Sequence, residues 1–353
     1  MEENKNGSPG VTRRTFVRAG LFTMAGAAGA AAISELKGGR AYAAPMLQDG
    51  NDHGMDHDGS MPGTMGEVDH KANGFDPSQV LTDFNWGDKV STLDNGQTLR
   101  EYNFVSGDKT FEVVPGITFA GWAFNGRIPG PTIRANEGDR IRINFANGTG
   151  HPHSMHFHGF HPAEMDGVPG AGPGLIGPGQ SFTYEFDAEP FGLHLYHCHA
   201  FPLARHIAKG LYGAFIIDPP GGRPEVDQEF VMVMSGFDVD FDDENDFYAV
   251  NTIPFHYQNH PIQIKVGEKI RIYLVNILEF DLLNSSHLHA NFFQYYPTGT
   301  SLTSTEYTDT IIQGQAQRGI LEFSYKYPGT YMFHAHVTEF AELGWSGHFE
   351  VLP

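Results

Sequence analysis

The chain reads as an all-β protein made of two tandem sandwich domains, and three observations predict this. Gly (43) and Pro (22) are abundant. From about residue 81 onward, short apolar runs are broken by Gly, Pro and Asn, with few helical periodicities between them. The same succession of runs also occurs twice, as a tandem repeat of one structural unit requires.

The repeat can be followed element by element. The stretch Pro131-Thr132-Ile133-Arg134-Ala135-Asn136-Glu137-Gly138-Asp139-Arg140-Ile141-Arg142-Ile143 resembles Pro261-Ile262-Gln263-Ile264-Lys265-Val266-Gly267-Glu268-Lys269-Ile270-Arg271-Ile272. Each is a strand, a tight glycine turn and a second alternating strand. Each copy then reaches a His-x-His, His156-Phe157-His158 or His287-Leu288-His289, followed by an aromatic strand and a glycine turn (Phe182 to Phe186 before Gly192, Leu321 to Tyr325 before Gly329). Each closes on a second His-x-His, His197/His199 or His334/His336. The predicted domains are 81–219 and 225–353, joined by Pro219-Pro220-Gly221-Gly222-Arg223-Pro224. Residues 238–246 read as an acidic solvated loop.

The first 80 residues have a different character. Thr12-Arg13-Arg14-Thr15-Phe16-Val17-Arg18 is a twin-arginine pattern, Ala19 to Ile33 is mildly apolar, and Ala41-Tyr42-Ala43 offers a small-x-small cleavage site. Residues 1–44 are therefore expected to be a cleaved export signal, which implies a periplasmic or extracellular protein. The apolar stretch is too short and weak for a stable membrane span. Residues 45–80, rich in His, Met and Asp, are expected to be a disordered linker, since almost no large apolar residue is present to drive folding. Its thioethers and imidazoles would suit a weak copper-collecting arm. The net charge is -20 and becomes more negative without the signal, which excludes a nucleic-acid surface.

The chemistry centres on one residue. Cys198 is the only cysteine, and it lies in His194-Leu195-Tyr196-His197-Cys198-His199. In an exported protein a lone cysteine cannot form an internal disulfide, and the flanking histidines favour a metal-ligand role. Thiolate and imidazole together are a blue-copper ligand set. Neighbouring side chains on an extended strand point to opposite faces. Cys198 can thus serve one metal while His197 and His199 serve others. One His-x-His is weak evidence, but four at corresponding places in two repeats supply eight imidazoles, which suits a cluster of three coppers.

These motifs carry a family resemblance. Asn125-Gly126-Arg127-Ile128-Pro129-Gly130-Pro131-Thr132-Ile133-Arg134, then His153-x-x-His156-x-His158-Gly159, then His197-Cys198-His199, resemble the multicopper oxidases, the laccases and their relatives. The resemblance covers both domains and implies cupredoxin-like Greek-key sandwiches. It implies that His156 and His287 hold a type 2 copper. His158, His197, His199, His289, His334 and His336 would hold a type 3 pair, and His153, Cys198 and His206 a type 1 blue copper. That makes four coppers per subunit. Aligned on the repeat, the second copy has Asn284, Ala335 and Phe340 where the first has His153, Cys198 and His206, so type 1 copper is expected in the first domain only.

The axial type 1 position falls on Leu211, where related nitrite reductases carry Met. A residue unable to coordinate should raise the reduction potential. The eight-residue step from Cys198 to His206 is long for a laccase, and Pro202-Leu203-Ala204 is expected to form an extra loop. Asp166 matches an acidic residue that delivers protons in laccases, with Glu339 a weaker second candidate. His194 reads as structural, and His151 and His161 fall outside the pattern. The expected function is oxidation of a small-molecule or metal-ion reductant (phenols, aromatic amines, Cu(I) or Fe(II)) with O2 reduced to water. The resemblance further implies a homotrimer whose trinuclear sites lie between subunits. A copper nitrite reductase and a non-catalytic copper-binding protein are the alternatives.

Overall fold

The computed structural model describes residues 66–353; the export signal and the first part of the His/Met arm lie outside the described residues. Four sheets carry the fold, two in each repeat. In the first, Phe84–Asn85, Thr132–Asn136, Tyr212–Asp218, Gly192–His197 and His156–Phe157 form one sheet. Lys89–Thr92, Thr98–Val114, Arg140–Asn147 and Ser181–Asp187 form the other, with Ile117–Phe124 paired to the long strand. The second repeat copies this plan with a six-stranded and a five-stranded sheet.

The sequence repeat is also a repeat of strand pairing. Thr132–Asn136 runs parallel to Tyr212–Asp218, as Ile262–Lys265 does to Ser346–Leu352. Arg140–Asn147 is antiparallel to Ser181–Asp187, as Ile270–Asn276 is to Arg318–Phe323. The turns that lead from Thr132–Asn136 to Arg140–Asn147 and from Ile262–Lys265 to Ile270–Asn276, crossing from one sheet to the other, need Gly138 (φ 90°) and Gly267 (φ 85°), conformations that a Cβ makes costly.

Strand alternation sorts the cores. One apolar cluster fills the first sandwich and includes Tyr196 and Cys198; another fills the second and includes Ala335 and Phe340. A third lies between the two sandwiches and takes Leu193 and Leu195 from one side with Val231, Val233, Tyr273 and Val275 from the other. The strand Gly192–His197 is buried along its whole length, so it presents one row of side chains to its own core and the other to the domain junction. Arg134, which pairs with Asp218 at 2.8 Å and Glu229 at 2.6 Å, ties the same junction electrostatically.

Three expectations need correction. Residues 66–80 do not behave as a disordered linker. They form two short helices, His70–Asn73 and Pro77–Val80, N-capped by Asp69 and Asp76. Val68, Phe75, Val80 and Leu81 are buried against the sandwiches, so a few apolar anchors and two caps suffice where the composition is polar. The insertion after Cys198 is a helix, Leu203–Ala208, rather than a loop. The acidic run 238–246 is not wholly solvated, because buried Asp238 accepts the backbone N–H groups of Asp242 and Asp243. Among the described residues no helix is long and apolar enough to cross a membrane.

Candidate metal centres

Cys198 follows directly on the strand Gly192–His197, and its N–H donates to the Leu211 carbonyl at 2.9 Å. Its Sγ lies 3.3 Å from His206 Nδ1 and 3.7 Å from His153 Nδ1, and the two Nδ1 atoms are 3.1 Å apart. His153 is held by a two-way backbone bridge to Ile176, and His206 by the helix Leu203–Ala208. The Trp122 ring packs against both imidazoles, with centroids 4.9 and 4.8 Å away. The backbone N–H of Ser154 donates to Sγ at 3.4 Å. Leu211 is fully buried in the same apolar cluster as Cys198.

The convergence of two imidazole nitrogens on a thiol suits a soft cation. Burial pushes the Cys198 thiol up to about 11, His153 down to about 3 and His206 down to about 4. His153 Nε2 is buried without a hydrogen-bond partner. Left alone, the three groups form a neutral, poorly satisfied pocket. A soft metal ion that displaced the thiol proton would satisfy the converging lone pairs.

The other face of the strand carries the first histidine set. His197 Nδ1 donates to the Cys198 carbonyl at 2.9 Å, which leaves the Nε2 lone pair free. That Nε2 faces His158 Nε2 at 2.9 Å. His156 Nδ1 lies 3.0 Å from the Asp166 carbonyl and 2.9 Å from its Oδ1, so its Nε2 is also free to ligate. The His156 and His199 rings are 5.1 Å apart, and His199 Nδ1 is buried without a partner. Burial lowers His158 to about 3 and His197 to about 4, and it lowers His156 as well.

The second repeat reproduces this set. His334 Nδ1 donates to the Ala335 carbonyl at 2.6 Å, and its Nε2 faces His289 Nε2 at 3.0 Å. His287 Nδ1 donates to the Asp309 carbonyl at 2.9 Å, with Thr310 Oγ1 at 2.8 Å. His336 packs 5.3 Å from the His287 ring. In both sets a serine hydroxyl anchors the last histidine: Ser154 accepts from the His199 N–H and Ser285 from the His336 N–H. Among the described residues no ring contact joins one set to the other. Each set makes its contacts within itself.

Where the second repeat would need a counterpart of the thiol pocket, the side chains are wrong for a metal. Asn284 is buried and donates to Asn276 Oδ1 at 3.3 Å, Ala335 is buried, and Phe340 stacks on Tyr248 with centroids 3.9 Å apart. Trp345 occupies the position equivalent to Leu211, its carbonyl accepting the Ala335 N–H.

Of the residues set aside from the sequence, His194 is structural: its two ring nitrogens lie 3.1 and 2.9 Å from the His158 and Pro190 carbonyls. His151 packs on Trp122. His161 is nearer the site than its sequence position suggested, with Nε2 3.6 Å from Asp166 Oδ1. A cluster that sequence reading missed joins His70, His256 and His260. The four-residue spacing of the last two was its only signal.

Comparison with known proteins resolves which family builds such sites. Family models described as multicopper oxidase match residues 108–222 and 228–353. The chain belongs to the multicopper oxidase family. A solved multicopper oxidase is 61% identical with a TM-score of 0.80, covering 81% of this chain and 100% of that one. The copper-containing nitrite reductase of Neisseria meningitidis is 29% identical over 65% of this chain, which spans 63% of that protein's length. The L-ascorbate oxidase of Cucumis sativus is 37% identical over 38% of this chain and 22% of its own length. Both repeats are accordingly cupredoxin-like sandwiches of a copper-binding family.

Proposed function

We propose that the protein is a laccase-like oxidase that takes single electrons from a reducing substrate and passes them to O2, forming water. The observation that carries this reading is the pair of complete four-histidine sets, one of them continuous in sequence with a buried thiol–imidazole pocket. His153, Cys198 and His206 would hold a type 1 copper beside Leu211. His156 and His287 would hold type 2, and His158, His197, His199, His289, His334 and His336 the type 3 pair. When bound, copper supplies reversible one-electron chemistry and a site for four-electron reduction of O2.

The protein's own groups do the rest. His206 lies where the donor's electron enters. Cys198 is bonded through the backbone to both His197 and His199, so the two kinds of centre are only a few covalent bonds apart. Asp166 fixes the His156 tautomer, and its carboxylate, shared with His161, is the best placed group to hold a proton for the oxygen chemistry. Among the described residues no ring contact joins the two histidine sets, and in the proposed assembly the first set of one subunit therefore faces the second set of another. Head-to-tail contacts that close in this way form rings, here a homotrimer. The twin-arginine segment supports export to the periplasm or beyond. Phenols, aromatic amines and the metal ions Cu(I) and Fe(II) are the candidate reductants.

The nitrite reductase likeness supplies a second reading. By the family resemblance, a copper nitrite reductase would carry an aspartate where this chain has His156 and would keep three histidines at the interface site rather than eight. Oxygen uptake with a phenolic donor, set against nitrite loss with the same donor, separates the two. Copper content separates them too, at four per chain for the oxidase and two for the reductase.

A further inference from the structure

We propose a further metal site at His70, His256 and His260, one that takes a divalent transition ion of the imidazole-binding kind and uses none of the residues of the three centres above. His256 and His260 sit one turn apart on and just after the helix His256–Asn259 in the second sandwich, and His70 begins the helix His70–Asn73 in the segment ahead of the first. One ring nitrogen from each lies within 4.8 Å of the other two. The rings pack at centroid distances of 4.9, 6.0 and 4.7 Å.

Three features point to a cation rather than to ring stacking alone. His70 Nδ1 is buried with no hydrogen-bond partner, the condition of a donor awaiting an ion. His256 is 3% exposed, so its ring is shielded from water and held by the side chains around it. Carboxylates rim the cluster: Glu67 Oε1 lies 3.4 Å from His260 Nε2, and Asp76 Oδ1 lies 3.8 Å from His256 Nε2. Asp76 is already engaged in capping Pro77–Val80, which leaves Glu67 as the free fourth donor. Ser78 Oγ, 2.8 Å from His256 Nε2, helps to fix the orientation of that ring. Three imidazoles and a carboxylate suit Zn(II), Cu(II) or Co(II) over hard ions such as Mg(II) or Ca(II). A bound ion would fasten the segment that precedes the first sandwich to the second. That segment runs on from the Met- and His-rich stretch 46–65.

The test titrates the full chain, reconstituted with four copper ions per chain, with Zn(II), following binding by calorimetry and metal content after gel filtration. Wild type should take up one zinc per chain beyond its copper, with a rise in thermal midpoint. His70→Gln together with His260→Gln, both at partly exposed positions, should weaken that uptake by roughly 100-fold or more and abolish the thermal shift, with the blue absorption unchanged. His256→Gln, introduced alone, should behave the same way if it folds. No zinc uptake by wild type would overturn the proposal, as would equal uptake by the double variant, which would put the zinc elsewhere in the chain.

Discussion

At the scale of single residues, Cys198 and Asp166 carry separable tasks in the proposed oxidase. Cys198→Ser removes the thiolate but leaves all eight set histidines intact. The variant should lose the blue absorption and its turnover of outer-sphere donors while still binding three coppers per chain, as metal analysis with electron paramagnetic resonance will read. Asp166→Asn keeps a side chain of the same shape, and the Asp166 backbone carbonyl still accepts from His156 Nδ1. Copper content should be retained while kcat falls roughly 10²-fold. Retained activity would remove Asp166 from the proton path. Leu211→Met conserves volume in a well-packed core, so stability should change by less than about 1.5 kcal/mol. A thioether within reach of the ion should lower the reduction potential, measured by redox titration of the blue band.

At the scale of elements, the strand Gly192–His197 does the organising. Its alternation places Leu193 and Leu195 in the domain junction and Tyr196 and Cys198 in the first core; the sequence pattern implies only that Cys198 faces away from His197 and His199. The paired turns at Gly138 and Gly267 were legible for the same reason, since each demands positive φ with open space around the missing Cβ. Gly267→Ala should cost about 1–2 kcal/mol in chemical denaturation, from backbone strain alone, and leave the blue spectrum untouched. Two elements were not legible. The helix Leu203–Ala208 is too short for periodicity to show. The segment 66–80 is polar in composition, and its few apolar side chains acquire meaning only from distant partners: Tyr257 Oη donates to the Pro77 carbonyl across 180 positions. The His70–His256 contact was hidden for the same reason. Metal ligands that alternate on one strand or recur in a repeat can be read from spacing; ligands that converge from remote segments cannot.

At the scale of the whole molecule, the depressed histidines tie stability to pH. His153, His158, His197 and His206 are held at about 3 to 4, well below their ordinary range. The unfolded chain therefore binds more protons than the native one once the pH drops below about 6.5. Metal-free protein should lose stability steadily as pH falls from about 7 toward 4, seen as a falling thermal midpoint. Bound copper should blunt the loss, because a ligated imidazole gives up its metal before it takes a proton. On the proposed trimer, each chain supplies two histidine sets that are joined only across subunits, so the dissociated subunit should keep its blue colour while losing oxygen chemistry. The most direct test of the oxidase reading is the electron balance of the copper-loaded protein. With a one-electron donor, it should consume one O2 for every four donor molecules oxidised and release no peroxide. A preparation that consumes no oxygen but removes nitrite with the same donor would contradict the reading.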